Sequence, residues 1–363
     1  MFVLDKPLYF APVLPSMQNK LYPSSDSAIN SNRAVLSLIE DPSGYIFNQS
    51  FDPDLVRYDA DYQNDQGYSA FFHSHLKDVV SICSRYVNQG SELIVDVGCG
   101  KGGFVEVLLD AGYKAIGYDN TYEGSSPYIR RSFFDRNSHD RGNLLTLRHV
   151  LEHVQKPWAF IKELALSNNE SGYLYIEVPD LGWILDNQAY FDLFHEHVNY
   201  FTKENFISRF PASLHSIVNL FGGQYIALVL DLSKVISDLE LQLNCFPRCD
   251  SLCKAFNELH EREKSVYKSL ADCKSIVIWG AASKGVIFAA KAPSEFQSNI
   301  RYAIDLNPKK VNLYMPLSGV KVFSVATGVQ LLDSDDTVLI VNPNYKKEIV
   351  LSLPPGQPIA VLE

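Results

Sequence analysis

Leu93-Ile94-Val95-Asp96-Val97-Gly98-Cys99-Gly100-Lys101-Gly102-Gly103 decides the reading of this chain. An apolar run closes around Asp96, glycines recur at alternate positions, and a new apolar pattern starts at Phe104. That is a strand, a tight turn and a helix. Glycines let a backbone pass close to a ligand with no Cβ in the way. A helix start offers free N–H groups to a carboxylate or phosphate. Gly98, Gly100 and Gly103 also satisfy the dinucleotide pattern G-x-G-x-x-G, which is weak evidence by itself. Asp96 separates the cofactors, because a carboxylate there opposes a pyrophosphate but accepts the ammonium of an amino-acid ligand such as S-adenosylmethionine. The next strand, Ala115-Ile116-Gly117-Tyr118, runs into Asp119 and Asn120. An acid at this point takes ribose hydroxyls in either cofactor class. The reading is S-adenosylmethionine over NAD, with S-adenosylhomocysteine as the product.

Outward from this loop, strand and helix patterns alternate at 93–97, 103–111, 114–118, 143–147, 157–166 and 172–177. A helical pattern over 70–88 precedes them, and 224–231 reads as a late strand, antiparallel at the edge. The alternation predicts an α/β fold, a doubly wound Rossmann-like sheet with ligands above the carboxyl ends of its strands. A second α/β unit begins at Ser275-Ile276-Val277-Ile278-Trp279-Gly280, continues through Tyr302–Asp305 and Thr337–Val341, and has its own turn at Gly280–Gly285. The expected organisation is a small irregular N-terminal region (1–70), a cofactor domain (71–232), a charged helical connector (233–272) and a C-terminal Rossmann-like domain (273–363).

The chain has 363 residues, too many for one ordinary core. Hydrophobic residues make up 46% and charged residues 20%, as in globular proteins in general. A net charge of −10 argues against general nucleic-acid or anionic-membrane binding. No apolar run approaches the ~20 residues that cross a bilayer, and Asp5 and Lys6 interrupt the first apolar stretch, so a cytoplasmic enzyme is expected. Cys245, Cys249 and Cys253 stand at helical intervals interrupted by Pro247 and read as reduced thiols, not as a metal site.

Three further clusters carry chemistry. His149 and His153 stand four apart after the fourth strand; no third metal ligand is evident, and His153 suits acid–base work. Glu177 and Asp180 close the next strand where substrate loops gather, with helix capping an equal prospect for Asp180. Phe194-His195-Glu196-His197-Val198-Asn199-Tyr200 sets a Glu-His pair in an aromatic run, an arrangement able to take a proton from carbon.

Taken in order, these pieces resemble the S-adenosylmethionine-dependent sugar C-methyltransferases, which methylate a keto-deoxysugar carried on a nucleotide. The resemblance rests on Asp96–Gly102, Gly117–Gly124, His149–His153, Glu177–Asp180, His195–Phe201, Trp279–Gly285, Asp305–Lys309 and Asn342–Tyr345. It implies a zinc-binding N-terminal domain, a central cofactor domain and a C-terminal Rossmann-like domain. It also implies cofactor contacts at Asp96, Gly98, Cys99, Gly100, Gly102, Asp119, Asn120 and His149. The implied acid–base groups are a tyrosine ahead of the cofactor domain, placed at Tyr62 with Tyr58 and Tyr68 as neighbouring alternatives, and His153, Glu196 and His197, with His197 as base oriented by Glu196. Substrate contacts are expected at Glu177, Asp180, Phe194, Tyr200, Ser283, Lys284, Asn342 and Tyr345. The chain departs from the pattern twice. Asp41-Pro42-Ser43-Gly44 stands where a Cys-x-x-Cys-Gly is expected, and the first cysteine is Cys83, so the N-terminal region is expected to hold no zinc. Phe194 replaces the tyrosine of a Tyr-x-Glu-His set, which removes one hydroxyl. Methylation of oxygen or nitrogen on a small metabolite, or cofactor binding without turnover, are the alternatives. Oligomeric state is open.

Overall fold

A computed structural model describes residues 6–59, 61–64, 67–241 and 250–362. The N-terminal region forms an antiparallel sheet from β1 (Tyr9–Pro15), β2 (Arg33–Glu40) and β3 (Ile46–Asn48). Between β2 and β3, the Asp41 carboxylate accepts from the Ser43 amide (2.9 Å), the Ser43 hydroxyl (2.7 Å) and the Tyr45 amide (3.1 Å). One short acidic side chain thus closes the turn that the sequence places at the expected cysteine pair.

The cofactor half is built on β4 (Leu93–Val97), β5 (Lys114–Tyr118), β6 (Ile129–Arg130), β7 (Leu144–Arg148) and β8 (Tyr173–Pro179). β9 (Asn199–Tyr200) leaves this half to pair with β3, which ties the N-terminal sheet to it. β10 (Leu214–Leu220) and β11 (Tyr225–Asp231) complete a seven-stranded sheet of order β10-β11-β8-β7-β4-β5-β6. The five strands from β6 to β8 run parallel, and β11 is antiparallel to β8. β4, β7 and β8 are mostly apolar and largely buried, as strands covered on both faces must be. The late strand expected at 224–231 is antiparallel, but β10 lies outside it and takes the edge.

The C-terminal unit is a five-stranded parallel sheet of β12 (Ser275–Trp279), β13 (Ile300–Asp305), β14 (Val322–Ser324), β15 (Asp336–Ile340) and β16 (Ile359–Val361), ordered β14-β13-β12-β15-β16. Both sheets are α/β and wound in the Rossmann manner, as expected. The charged segment supplies helices Leu232–Glu240 and Asp250–Ser269; Cys245 and Cys249 lie outside the described residues, while Cys83, Cys99, Cys253 and Cys273 are free thiols.

The largest apolar core is shared. It joins Leu14, Leu36 and Leu38 of the N-terminal sheet, Tyr190 and Phe191, Phe256 of the long helix, and Ile278 and Phe288 of the C-terminal unit. Polar ties reinforce it: Tyr9 donates to Glu263 (2.7 Å), and Lys291 pairs with Glu263 (2.7 Å). The Tyr22 amide donates to the Tyr314 carbonyl (2.9 Å), and the Gln63 amide to the Asn19 carbonyl (2.8 Å). The loop carrying Gln18 and Asn19 is thereby held over the mouth between the two Rossmann-like units. Among the described residues no helix is long and apolar enough to cross a membrane.

Candidate active site

A cleft of about 810 Å³ runs between the carboxyl ends of the parallel strands of the seven- and five-stranded sheets, roofed by the N-terminal segment. On one side it is lined by Asp96, Gly98, Cys99 and Gly100, on the other by Gly280, Ser283 and Lys284, with Tyr62, His153 and His197 between.

The first glycine turn is shaped by its backbone. Gly98, Gly100 and Gly102 sit at φ of +73°, +56° and +86°, which side chains with a Cβ rarely adopt. A Cβ on Gly98 would lie 2.6 Å from a Val150 methyl, whereas one on Gly100 would project into open space. The loop's amides are already used. Gly98 donates to the Tyr118 carbonyl (2.8 Å), and Gly100 to Asp119 Oδ2 (2.9 Å). A pyrophosphate therefore finds few donors here. Asp96 is buried, with Oδ1 accepting from the Thr146 hydroxyl (2.7 Å). Burial pushes its carboxyl up to about 6 against the pull of Thr146 and Arg148. A buried carboxylate beside open space above glycines fits the ammonium end of S-adenosylmethionine.

Asp119 acts on the loop: its Oδ1 accepts from the Thr121 amide and hydroxyl while Oδ2 holds Gly100. Neither Asp119 nor Gly102 lines the cleft, and Asn120 lines a separate hollow of about 600 Å³ with Tyr118, Arg130 and Phe133.

Behind the loop lies a buried charge cluster. Glu177 is fully buried, taking Arg148 (3.1 Å), His75 (3.1 Å) and the Tyr175 hydroxyl (2.7 Å), with His149 Nε2 at 3.1 Å. It does not line the cleft, which corrects its expected substrate role: every approach to its carboxylate is filled by protein groups. Burial acts to raise its carboxyl, but Arg148, His149 and His75 hold it well below the ordinary range. His149 does face the cleft, in a left-handed backbone conformation (φ +52°), a strained choice for a side chain with a Cβ. Burial lowers its pKa, yet the bonds to Glu152 and Glu177 win and push it up to about 9. A group raised from its unfolded value near 6.5 stabilises the fold fully below that pH and loses the effect as pH climbs through about 9. The melting temperature is expected to fall between about pH 7 and 9.5, and to fall less in His149→Asn.

Asp180 is likewise a structural group. Its Oδ1 accepts from the Gly182 amide (2.8 Å), capping helix Leu181–Asp186, and its Oδ2 from Asn219 (2.8 Å). Tyr200 turns from the cleft and braces the backbone of Phe194, donating to its carbonyl (2.9 Å) and accepting from its amide (3.0 Å). Both were expected to meet substrate; local backbone partners claim them first.

The proposed proton-handling residues do converge. Tyr62 donates to Glu196 Oε2 (2.8 Å), and the Gln18 amide donates to Oε1 (2.7 Å). Among the described hydrogen bonds none joins Glu196 to His197, which corrects the expected pairing: adjacent residues project apart here, and the carboxylate faces the N-terminal segment. His153 Nδ1 lies 2.9 Å from the Glu196 carbonyl and 3.0 Å from the Tyr58 hydroxyl. The His153 and His197 rings are 5.0 Å apart, and Phe194 lies 4.0 Å from the His197 ring. Glu152, His153 and His197 each offer an atom of metal-ligand type within 4.8 Å of the others. His195, by contrast, is buried with Nδ1 on the Val35 carbonyl (2.8 Å).

Across the cleft, Lys284 pairs with Asp192 and lies over the Trp183 and Phe191 rings (5.4 and 5.3 Å). Asn342 accepts from Gln224 (3.0 Å), and Tyr345 packs edge-on to Phe71. The Asn307 amide nitrogen and Asn19 Oδ1 are buried without partners among the described residues, and both residues line the cleft. Sequence reasoning missed Asn19, Glu152, Asn307 and Lys310, and held Tyr58 only as an alternative to Tyr62. Asn19 sits in an irregular segment with no periodic signal; Asn307 lay inside a quoted motif but was not singled out.

A methyltransferase domain model matches residues 41–212, and a C-methyltransferase C-terminal domain model matches 254–354. The chain is similar to the C-methyltransferase NovU of Streptomyces niveus, 21% identical over 312 residues, covering 76% of this chain and 72% of that protein. Among solved structures it is similar to the PH0226 protein of Pyrococcus horikoshii OT3 (14% identical, TM-score 0.36, 48% of this chain and 99% of the other). It is also similar to the magnesium protoporphyrin IX methyltransferase of Synechocystis PCC 6803 (17% identical, TM-score 0.34, 44% and 82%). Those structural scores are low and add nothing to the family matches. With a methyltransferase domain spanning the first glycine turn and a C-methyltransferase C-terminal domain spanning the second, the protein is an S-adenosylmethionine-dependent methyltransferase.

Proposed function

We propose that the enzyme methylates carbon on a nucleotide-linked keto-deoxysugar, at the position next to the ketone. The observation that carries this is the convergence of two imidazoles and the Tyr62 phenol on the cleft that also holds the cofactor turn, with Tyr58 and the buried Glu196 carboxylate bonded to them from behind. Transfer to oxygen or nitrogen needs one base beside the nucleophile; a carbon acid needs a base at carbon and donors at the ketone oxygen together.

Asp96 holds the ammonium of the cofactor and Gly98 and Gly100 leave it room to approach the backbone, with Cys99 and His149 beside it, while Gly102 tightens the turn against Ile129. Removal of the proton next to the ketone leaves an enolate, whose oxygen is met by donors from the imidazole–tyrosine cluster. S-adenosylmethionine, when bound, supplies a sulfonium methyl: the enolate carbon forms the new C–C bond as the C–S bond breaks, and S-adenosylhomocysteine leaves. Phe194 and the aromatic wall exclude water from the enolate. Alignment by the two halves of the cleft supplies much of the acceleration.

The second glycine turn suits the nucleotide end. Gly280 has φ +116°, and a Cβ on Gly285 would fall 1.9 Å from the Gly280 carbonyl, so this turn depends on glycine for its tightness. Asp305 accepts from the Ala281 amide (2.7 Å), while Ser283, Lys284, Asn342, Tyr345 and the unpartnered Asn307 amide offer donors to phosphate and sugar.

The test uses methyl-¹³C cofactor with a panel of nucleotide-linked 4-keto-6-deoxyhexoses. Carbon NMR of the product is expected to show the labelled methyl coupled to a ring carbon. A label on oxygen or nitrogen overturns the proposal.

A further inference from the structure

The two imidazoles at the centre of the cleft sit in unlike surroundings, and the difference assigns them different tasks. His153 Nδ1 lies 2.9 Å from the Glu196 carbonyl, which can only accept, so Nδ1 carries the ring proton and Nε2 keeps its lone pair. The Tyr58 oxygen lies 3.0 Å from the same Nδ1, and the Tyr58 hydroxyl also interacts with the Glu196 carboxylate. Imidazole, phenol and carboxylate thus form a chain. A proton arriving at Nε2 creates a positive charge that the phenol oxygen, the carbonyl and the carboxylate together stabilise, as a third group does behind any imidazole base. The chain crosses modules: Tyr58 comes from the segment ahead of the cofactor domain, His153 follows β7, and Glu196 precedes β9.

His197 has no such support. It is buried, packed on Phe194 at 4.0 Å, and its Nδ1 is buried without a partner among the described residues. The ionisable groups that face it are His153, His149, Lys284 and Glu152, mostly cationic or able to become so. A buried ring nitrogen left unpaired within a cleft is a place where a ligand atom belongs.

Accepting carbon methylation next to a ketone as the reaction, we infer that His153, backed by Tyr58 and Glu196, removes the proton from carbon, while His197 stays neutral and donates its ring N–H to the ketone oxygen. The carbon-bound proton moves to His153 Nε2, the electron pair it leaves passes through the carbonyl to oxygen, and the His197 N–H bond to that oxygen shortens as charge develops. Burial, then His153, His149 and Lys284, hold the His197 imidazole well below its ordinary pKa, which favours the neutral donor. Tyr58 is a positioning residue: it touches His153 and Glu196.

The experiment follows solvent-deuterium exchange at the carbon next to the ketone, against pH, in full-length enzyme. The probe is a nucleotide-linked 4-keto-6-deoxyhexose with S-adenosylhomocysteine present, whose affinity is measured on every variant to confirm a folded site. Exchange in the unsubstituted enzyme is expected to rise with pH along one limb. In His153→Asn the rate falls about a hundredfold or more and the limb disappears. In His197→Asn the rate falls but the limb stays. In Tyr58→Phe, which preserves the ring, the maximal exchange rate falls while the half-saturating sugar concentration stays put, because the imidazole that takes the proton has lost its support. A limb that survives in His153→Asn and vanishes in His197→Asn reverses the assignment, and an unchanged maximal rate in Tyr58→Phe removes the relay. No exchange in the unsubstituted enzyme takes away the carbon-acid reading itself, and the assignment with it.

Discussion

Asp96→Asn is expected to weaken S-adenosylhomocysteine binding about a hundredfold, or ~2.7 kcal/mol, with little change in stability. The carboxylate is buried near the end of β4, and one oxygen is already held by Thr146. Asparagine keeps the shape and the Thr146 bond but gives the ammonium no negative partner. The same residue makes affinity depend on pH. A carboxyl pushed up to about 6 is ionised above that pH and protonated below it, so affinity is full above about 6 and falls roughly tenfold for each further unit of acid. Calorimetry at about pH 8 and about pH 5, on either side of that value, reads both effects. A D96N variant that binds as tightly as the unsubstituted enzyme, or affinity flat across that range, places the ammonium elsewhere.

Glu177→Ala is expected to cost about 3–5 kcal/mol of folding stability, because it strands Arg148, His75 and protonated His149 in the interior without a counter-charge. Glu177→Gln costs less, since the amide still meets Tyr175 and one cation. Urea unfolding checks the order: alanine well below glutamine, glutamine below the unsubstituted protein. His149 is held by this carboxylate in its left-handed turn, so cofactor affinity falls together with stability. An alanine variant as stable as the parent shows that the cluster is solvated, contrary to its burial.

How much of this was written in the chain follows from range. The first glycine turn was legible because strand, glycines and helix start follow one another directly and each obeys a local rule. β4, β5, β7, β8 and β12 announced themselves as apolar runs, since a strand covered on both faces has little polar in it. β10 carries half-buried and exposed residues on an edge, and β6 and β14 are two or three residues long, so none produced a pattern. At the site, the His153 and His197 rings, which the sequence reading assigned to the same chemistry, lie 5.0 Å apart. The error lay in partners. Glu196 stands next to His197 in sequence, and adjacency suggested a pair; the local turn sends the carboxylate to Gln18 and Tyr62 instead. Glu177 was read as a substrate acid because nothing local shows that Arg148 reaches it from another strand of the sheet, whereas the capping role weighed equally for Asp180 is the one its side chain takes. Asn19 and Tyr58 arrive from an irregular segment whose fold is set by packing against distant units.

A crystal structure with S-adenosylhomocysteine and a nucleoside diphosphate soaked in tests the central claim most directly. The account predicts the amino-acid end of the first ligand at Asp96, its sulfur facing the His153–His197 pair, and the diphosphate against Gly280–Gly285 on the opposite wall. S-adenosylhomocysteine seated on the second glycine turn, or bound with its sulfur turned away from both imidazoles, contradicts it.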